Sequence, residues 1–470
     1  MVRLALALLA LVAFAGRPAA QPATADRVPA ADAAFEGGLA AYRAGDYAGA
    51  ERLFTRAATE FGYTERTTAA TLMAAKAAYA GGDFARAASA ATRLVSSYPA
   101  SRYAADARAL LPRIAAAGEG QTFSLGVVLP TEGRDGYLGQ ALFNGVRLAV
   151  DEHNSQVSGG GAGRRVRMVF RDTRGTGPGA ADAVRAAVGE GADAVIGPLF
   201  SAEAEPAGAA AEAAGVTLLA PLANTDESIS RGRRFVFQAN PTFPARGRAM
   251  ARYAVGRLGL SRLGAASEAE GFSREMARAF VAETRRLGAS VAFEEALAGA
   301  GAWEDLDREV GEARLRSVQA VYLPATGQNA PRYASDALRA LDALGSVGRS
   351  PRPLGNTEWE GLSPSAAARA GRLGAVFTQD FFVAPGATDA FAARYQALSG
   401  IAVDRLALIG YDLARFLLAQ VGAGEGALAD RVRRAPQFNG VAHRFAFDGG
   451  QVNEALFILG YRDGQTVLLE

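Results

Sequence analysis

The chain has 470 residues, half of them apolar, and its 50 basic and 48 acidic side chains leave a net charge of +2. It has no cysteine and only two histidines, His153 and His443, so disulfides, thiolate catalysis and zinc–thiolate sites are excluded and a histidine-built metal site is not expected. Apart from Lys76 the basic residues are arginines, and none forms a cluster interleaved with aromatics as a nucleic-acid surface would; Arg231–Arg234, the densest patch, reads as a solvated turn.

The first element is an apolar run, Leu4–Ala15, preceded by Arg3 and followed by small residues. It falls short of the roughly 20 residues of a spanning helix and has the form of an export signal. The expectation is a signal peptide over residues 1–25, with Pro18-Ala19-Ala20 or Ala23-Thr24-Ala25 as the cleavage site and a mature chain starting between Gln21 and Asp26. A lipid anchor would need a cysteine there, so a soluble periplasmic protein is expected, not a lipoprotein.

Residues 35–117 carry an internal repeat. Gly38, Tyr42, Gly45-Asp46-Tyr47, Ala50, Phe54 and Ala57 recur as Tyr79, Gly82-Asp83-Phe84, Ala87 and Leu94, with the two Gly-Asp-aromatic turns 37 residues apart. The turn reverses one helix into the next, the alanines permit close crossing, and the aromatics fill the seam. Tyr98-Pro99-Ala100-Ser101 then introduces a third helix over Arg102–Ala117. This spacing resembles the tetratricopeptide family, whose stacked helix pairs offer a groove for protein or peptide.

Ala116–Gln121 is small, polar and helix-breaking, and marks a boundary. Beyond it strands and helices alternate: strand Phe123–Leu129, helix Gly139–Asn154, strand Arg167–Arg171, helix Gly179–Glu190, strand Ala194–Ile196, helix Ala202–Ala214, strand Thr217–Ala220. A second series starts at Arg262 and includes helix Ser273–Leu287, strand Val291–Glu294, strand Ala320–Leu323 and helix Tyr333–Leu344. Short apolar strands separated by such helices predict right-handed βαβ units and two parallel sheets covered on both faces. Ligands of such sheets sit beyond the carboxyl ends of the strands.

LGVVLPTEGRDG (Leu125–Gly136), GQALFNGVRLAVDEHN (Gly139–Asn154), DAVIGPLFSAEAEP (Asp193–Pro206), LLAPLANTDESIS (Leu218–Ser230) and VFQANPTFPARGRAMARYAV (Val236–Val255) resemble, in order, the leucine/isoleucine/valine-binding type of periplasmic receptor. GYDLARFLL (Gly410–Leu418) and FNGVAHRFAFDGGQV (Phe438–Val452) continue the likeness. The resemblance implies the type 1 periplasmic-binding-protein fold over 123–470: an α/β receptor of two Rossmann-like lobes and a hinge, behind an all-α tetratricopeptide-like module. The first lobe is expected at 123–243 and 384–440, the second at 244–383 and 441–470.

The same resemblance assigns candidate ligand residues. Ser201 and Asn224-Thr225 fall where the family grips a ligand carboxylate, at strand ends and a helix N-terminus, where free N–H groups favour an anion. Ser201 also suits a plain helix cap. Leu138 stands where a covering aromatic is usual, with Tyr137 beside it; Phe272 replaces a second-lobe tyrosine. The acid that pairs with a ligand ammonium aligns with Thr357, and Glu358 is its neighbour. Trp359 either lines the rim or packs.

The expected function is therefore extracytoplasmic capture of a small amino-acid-like or carboxylate ligand, for an ABC permease or for signalling, without cofactor or catalytic residue. No nucleophile–base constellation, Gly-x-Ser-x-Gly elbow or phosphate loop occurs. The penicillin-binding-protein activators join the same two modules, which makes an envelope regulator, binding a cell-wall synthase or cell-wall fragment, the alternative. The missing lipobox cysteine counts against close equivalence.

Overall fold

The computed structural model describes residues 26–119, 122–133, 135–158, 163–225, 227–421 and 426–470. The expected export signal and its cleavage sites lie outside them, as do residues 120–121 of the boundary segment. The chain divides between Thr122 and Phe123 into a helical unit and an α/β unit.

The helical unit consists of α1 (Pro29–Arg43), α2 (Tyr47–Thr59), α3 (Thr67–Ala80), α4 (Phe84–Ser97) and α5 (Ala104–Glu119). Each Gly-Asp pair works in two steps. Gly45 and Gly82 both take φ +80°, a left-handed conformation that costs glycine nothing. Asp46 and Asp83 then cap the following helices, their carboxylates accepting from the Gly49 and Arg86 amides at 2.8 and 2.9 Å. Phe54, Ala50 and Ala57 are fully buried between α1, α2 and α3, and Ala87, Ala91 and Leu94 play the same part in the second pair.

In the α/β unit the first lobe is a parallel sheet of β1 (Phe123–Leu129), β2 (Val166–Asp172), β3 (Ala194–Ile196), β4 (Thr217–Ala220) and β5 (Val236–Gln238), in the order β2-β1-β3-β4-β5. Helices Gly136–Ser158 and Arg405–Val421 cover one face, Gly177–Gly189 and Ser201–Ala214 the other. The first two cross with backbones in contact: a Cβ on Gly145 would lie 2.1 Å from the Ala407 carbonyl oxygen, and one on Gly410 would lie 2.3 Å from that of Leu142. Two of the family-like motifs thus meet at a crossing that admits only glycine.

The second lobe has β6 (Arg262–Glu268), β7 (Ser290–Leu297), β8 (Ala320–Tyr322), β9 (Arg352–Gly355) and β10 (Val376–Gln379) in parallel. The first lobe's β11 (Phe438–Asn439) and β12 (Arg444–Phe445) form a small hairpin of their own. The last two strands, β13 (Phe457–Arg462) and β14 (Gln465–Leu468), join the second sheet antiparallel, giving β14-β13-β10-β9-β8-β6-β7. The sheet's first five strands are thus parallel, as expected, and an antiparallel hairpin extends one edge. Asp463-Gly464, with φ of +51° and +73°, makes the tight hairpin turn. Ala442, Phe445 and Phe447 lie in the first lobe's core, so the second lobe starts later than residue 441.

Three segments cross between the lobes, at 239–242, 380–383 and 446–456. Asn453, buried at their meeting point, donates to the Ala239 and Arg444 carbonyls and accepts from the Ala446 and Ala455 amides. Phe382 N–H donates to the Ala442 carbonyl at 3.0 Å.

Candidate functional site

Ser201 opens the helix Ser201–Ala214 at the carboxyl end of β3, and its Oγ accepts from the Asn224 amide at 3.3 Å. Ser201 and Asn224, from two adjacent strand ends, are therefore together, with Thr225 next in the chain; all three are partly exposed. The helix's cap position belongs to Phe200, and the Ser201 hydroxyl makes no capping bond of its own. Tyr137 and Leu138 lie in the first turn of the helix Gly136–Ser158; Leu138 packs partly against the lobe's core while Tyr137 is 70% exposed. Tyr137 is thus the aromatic on offer at this rim.

Across the hinge, Phe272 sits at the start of helix Gly271–Arg286, 39% exposed and stacked on Phe243 with ring centroids 4.2 Å apart. Ser273, fully buried, fixes that start by accepting from Glu268 N–H and donating to the Pro324 carbonyl. Thr357 and Glu358 open a short 3-10 helix beyond β9. Trp359 is fully buried in the second lobe's core, which settles its role as packing.

The residue that sequence reasoning missed is Arg246, on the first helix of the second lobe and only 5% exposed. Its guanidinium donates to Thr357 Oγ1, to Asp380 Oδ2 at 3.2 Å and to Asn240 Oδ1 at 3.4 Å, and its Nε to the Pro241 carbonyl at 3.3 Å. Asp380 also receives Arg405 of the first lobe at 2.7 Å. Burial alone would raise the Asp380 carboxyl; Arg246 and Arg405, with His443, outweigh that and hold it well below the ordinary carboxylate range. Glu358, half-buried beside this group, is pushed up by its burial, with Arg246 opposing. Arg246 lay inside a quoted motif, but nothing in its spacing signals burial, and arginine is seldom buried unless paired.

Arg233 and Arg234 of the densest basic patch are paired with Glu205 and Asp430 at 2.6 and 2.8 Å, as a structural turn requires. No group of three or more acidic or histidine side chains placed to hold a metal occurs among the described residues.

A family model described as periplasmic binding protein matches residues 122–465. The chain belongs to the periplasmic binding protein family. The receptor's helical unit is matched separately, over residues 29–108, by a family described as outer membrane lipoprotein. Among solved structures the receptor is similar to a Rhodospirillum rubrum protein assigned to a branched-chain amino acid ABC transporter, at 25% identity and a TM-score of 0.59, covering 74% of this chain and all of that one. An ABC transporter substrate-binding protein from Desulfitobacterium hafniense matches at 22% identity and 0.52, over 74% and 100% of the two chains. Another from Sphaerobacter thermophilus matches at 19% and 0.52, over 74% and 96%. No curated protein sequence matches the chain. The family is one of solute-binding proteins, and among the described residues no helix is long and apolar enough to cross a membrane.

Proposed function

We propose that this receptor closes over a small carboxylate that carries no α-ammonium group. The first-lobe strand ends supply the anion site: the Ser201 hydroxyl, the amides at the start of its helix, and Asn224-Thr225. Tyr137 and Phe272 are the apolar covers from the two lobes.

The observation that carries the specificity is Arg246. By resemblance, the wall at Thr357 is where an acid would receive a ligand ammonium. Here a guanidinium already occupies the Thr357 hydroxyl, and Asp380 is shared between Arg246 and Arg405. An ammonium brought there meets the like charge of Arg246, and of the Asp380 carboxylate only Oδ1 is left to it, Oδ2 being held by both arginines; an acceptor on the ligand avoids that repulsion. Closure acts by population shift, the closed form being what a partner recognises.

A thermal-shift panel of carboxylates and amino acids tests this. One carboxylate at a hundredfold excess over its Kd should add about 2.7 kcal/mol, and Ser201→Ala should weaken the response without unfolding the protein. A panel in which no carboxylate shifts the melting point would sink the reading.

The same reading makes the protein a soluble, non-catalytic periplasmic receptor serving an ABC permease. The outer-membrane-lipoprotein match over the helical unit supports a second role, contact with an envelope protein such as a cell-wall synthase. The receptor lobes would then report ligand state to that partner.

A further inference from the structure

A cavity of about 260 Å³ lies on residues none of which belongs to the cleft. Arg252, Tyr253 and Arg257 line it from the end of the second lobe's first helix; Gln437 and Arg444 from the β11–β12 hairpin; Glu454, Leu456, Ile458 and Glu470 from the last crossing and the final strands. The hairpin packs on the first lobe's core through Phe438 and Phe445, so the cavity is built from both lobes.

Two of its three arginines are already paired, Arg252 with Glu454 at 2.7 Å and Arg257 with Glu470 at 3.0 Å. Arg444 is not. Its guanidinium lies 4.2 Å from the Phe457 ring centroid, half-buried, and among the described residues no hydrogen bond or ion pair reaches it. The Phe457 ring packs against the guanidinium but offers its N–H groups no acceptor. The Tyr253 hydroxyl, also lining the cavity, is likewise without a hydrogen-bond partner among the described residues. Burial pushes the Arg444 pKa down, with Glu470 opposing.

Against three arginines the cavity sets two glutamates, which leaves one positive charge in excess. Ala249, Ala455, Leu456 and Ile458 add a smaller apolar part to a mostly polar lining. One excess charge, two unused donors and a mostly polar lining with a small apolar part describe a site for a single carboxylate with a short hydrocarbon body. We propose that this cavity is a second monocarboxylate site, separate from the cleft, in which Arg444 and Tyr253 hold the carboxylate. Because both lobes line it, an occupant there ties the hairpin to the second lobe.

Butyrate, titrated against the full-length protein at ionic strength matched with chloride, tests the assignment. A saturable response is expected in the wild type and in Ser201→Ala, and Arg444→Gln and Tyr253→Phe are made in the Ser201→Ala background so that the cleft, itself a carboxylate site, does not mask them. Arg444→Gln should raise the dissociation constant at least tenfold with an unchanged far-UV circular dichroism spectrum. Tyr253→Phe keeps the ring and should weaken binding severalfold, so the test does not rest on one variant folding. No saturable response in the wild type, or one untouched by both Arg444→Gln and Tyr253→Phe, overturns the site. Loss of the response in Ser201→Ala would also overturn it, since butyrate would then be reporting on the cleft.

Discussion

Two buried acids in the receptor have opposite electrostatic fates, and each predicts its own pH dependence. Asp380 is held low by its two arginines, so its contribution to stability is present above the ordinary carboxylate pKa of about 4 and is lost as pH falls below that. Arg246→Met should therefore destabilise the protein by about 3 kcal/mol at pH 7, the low end of the range for breaking a buried pair because Arg405 remains. Urea unfolding at pH 7 and pH 3.5 should show that difference narrowing in acid. Glu203 is the reverse case: 3% exposed, one carboxylate oxygen without a partner, and pushed up by burial, with Asp135 and Asp172 adding to it against a bond from Thr173. A raised pKa is full stability below the unfolded value and a loss as pH rises through the folded one. Glu203→Gln should gain about 1–3 kcal/mol near pH 8, and little at pH 4. An unchanged or lowered midpoint at pH 8 would show that the glutamate charge is compensated. Neither acid was visible in the sequence as special, because burial of a single charged side chain leaves no periodic trace. Ser201, Asn224, Phe272 and Thr357 are proposed as ligand residues only through the family resemblance.

At the scale of elements the sequence was far more readable, and the reasons are local. The Gly-Asp turns of the helical unit announced themselves because the left-handed glycine and the capping aspartate are both residue-specific. Asp46→Ala and Asp83→Ala should each cost about 1 kcal/mol of helix stability, measurable as a lowered first transition in far-UV circular dichroism of the whole chain; equal melting curves would show the caps to be dispensable. Strands β3 and β4 were located to the residue, since continuous apolar runs bounded by turns admit few alternatives. The final hairpin was not read from the sequence, although Asp463-Gly464 carries its turn signal. Arg246 illustrates the limit: it sits in a family-like motif, but its place on a helix face turned toward Asp380 is set by packing, not by local propensity.

At the scale of the molecule, the helical and α/β units have separate cores, and the receptor lobes complete theirs without the repeats. A chain lacking residues 26–119 should accordingly keep its ligand response, as judged by the same thermal shift; aggregation or loss of that response would make the repeats part of the receptor's scaffold. The central claim is a cleft for a carboxylate whose cation the protein supplies itself. Calorimetric titration of the full-length protein with 4-methylvalerate and with leucine tests it most directly, since the two differ by the α-ammonium group alone. To keep the second cavity out of the comparison, the titration is run in the Arg444→Gln background. The account predicts saturable binding of 4-methylvalerate, weakened at least tenfold by Ser201→Ala, and leucine binding at least a hundredfold weaker, about 2.7 kcal/mol. Leucine binding as tightly as or more tightly than its deaminated counterpart would contradict it.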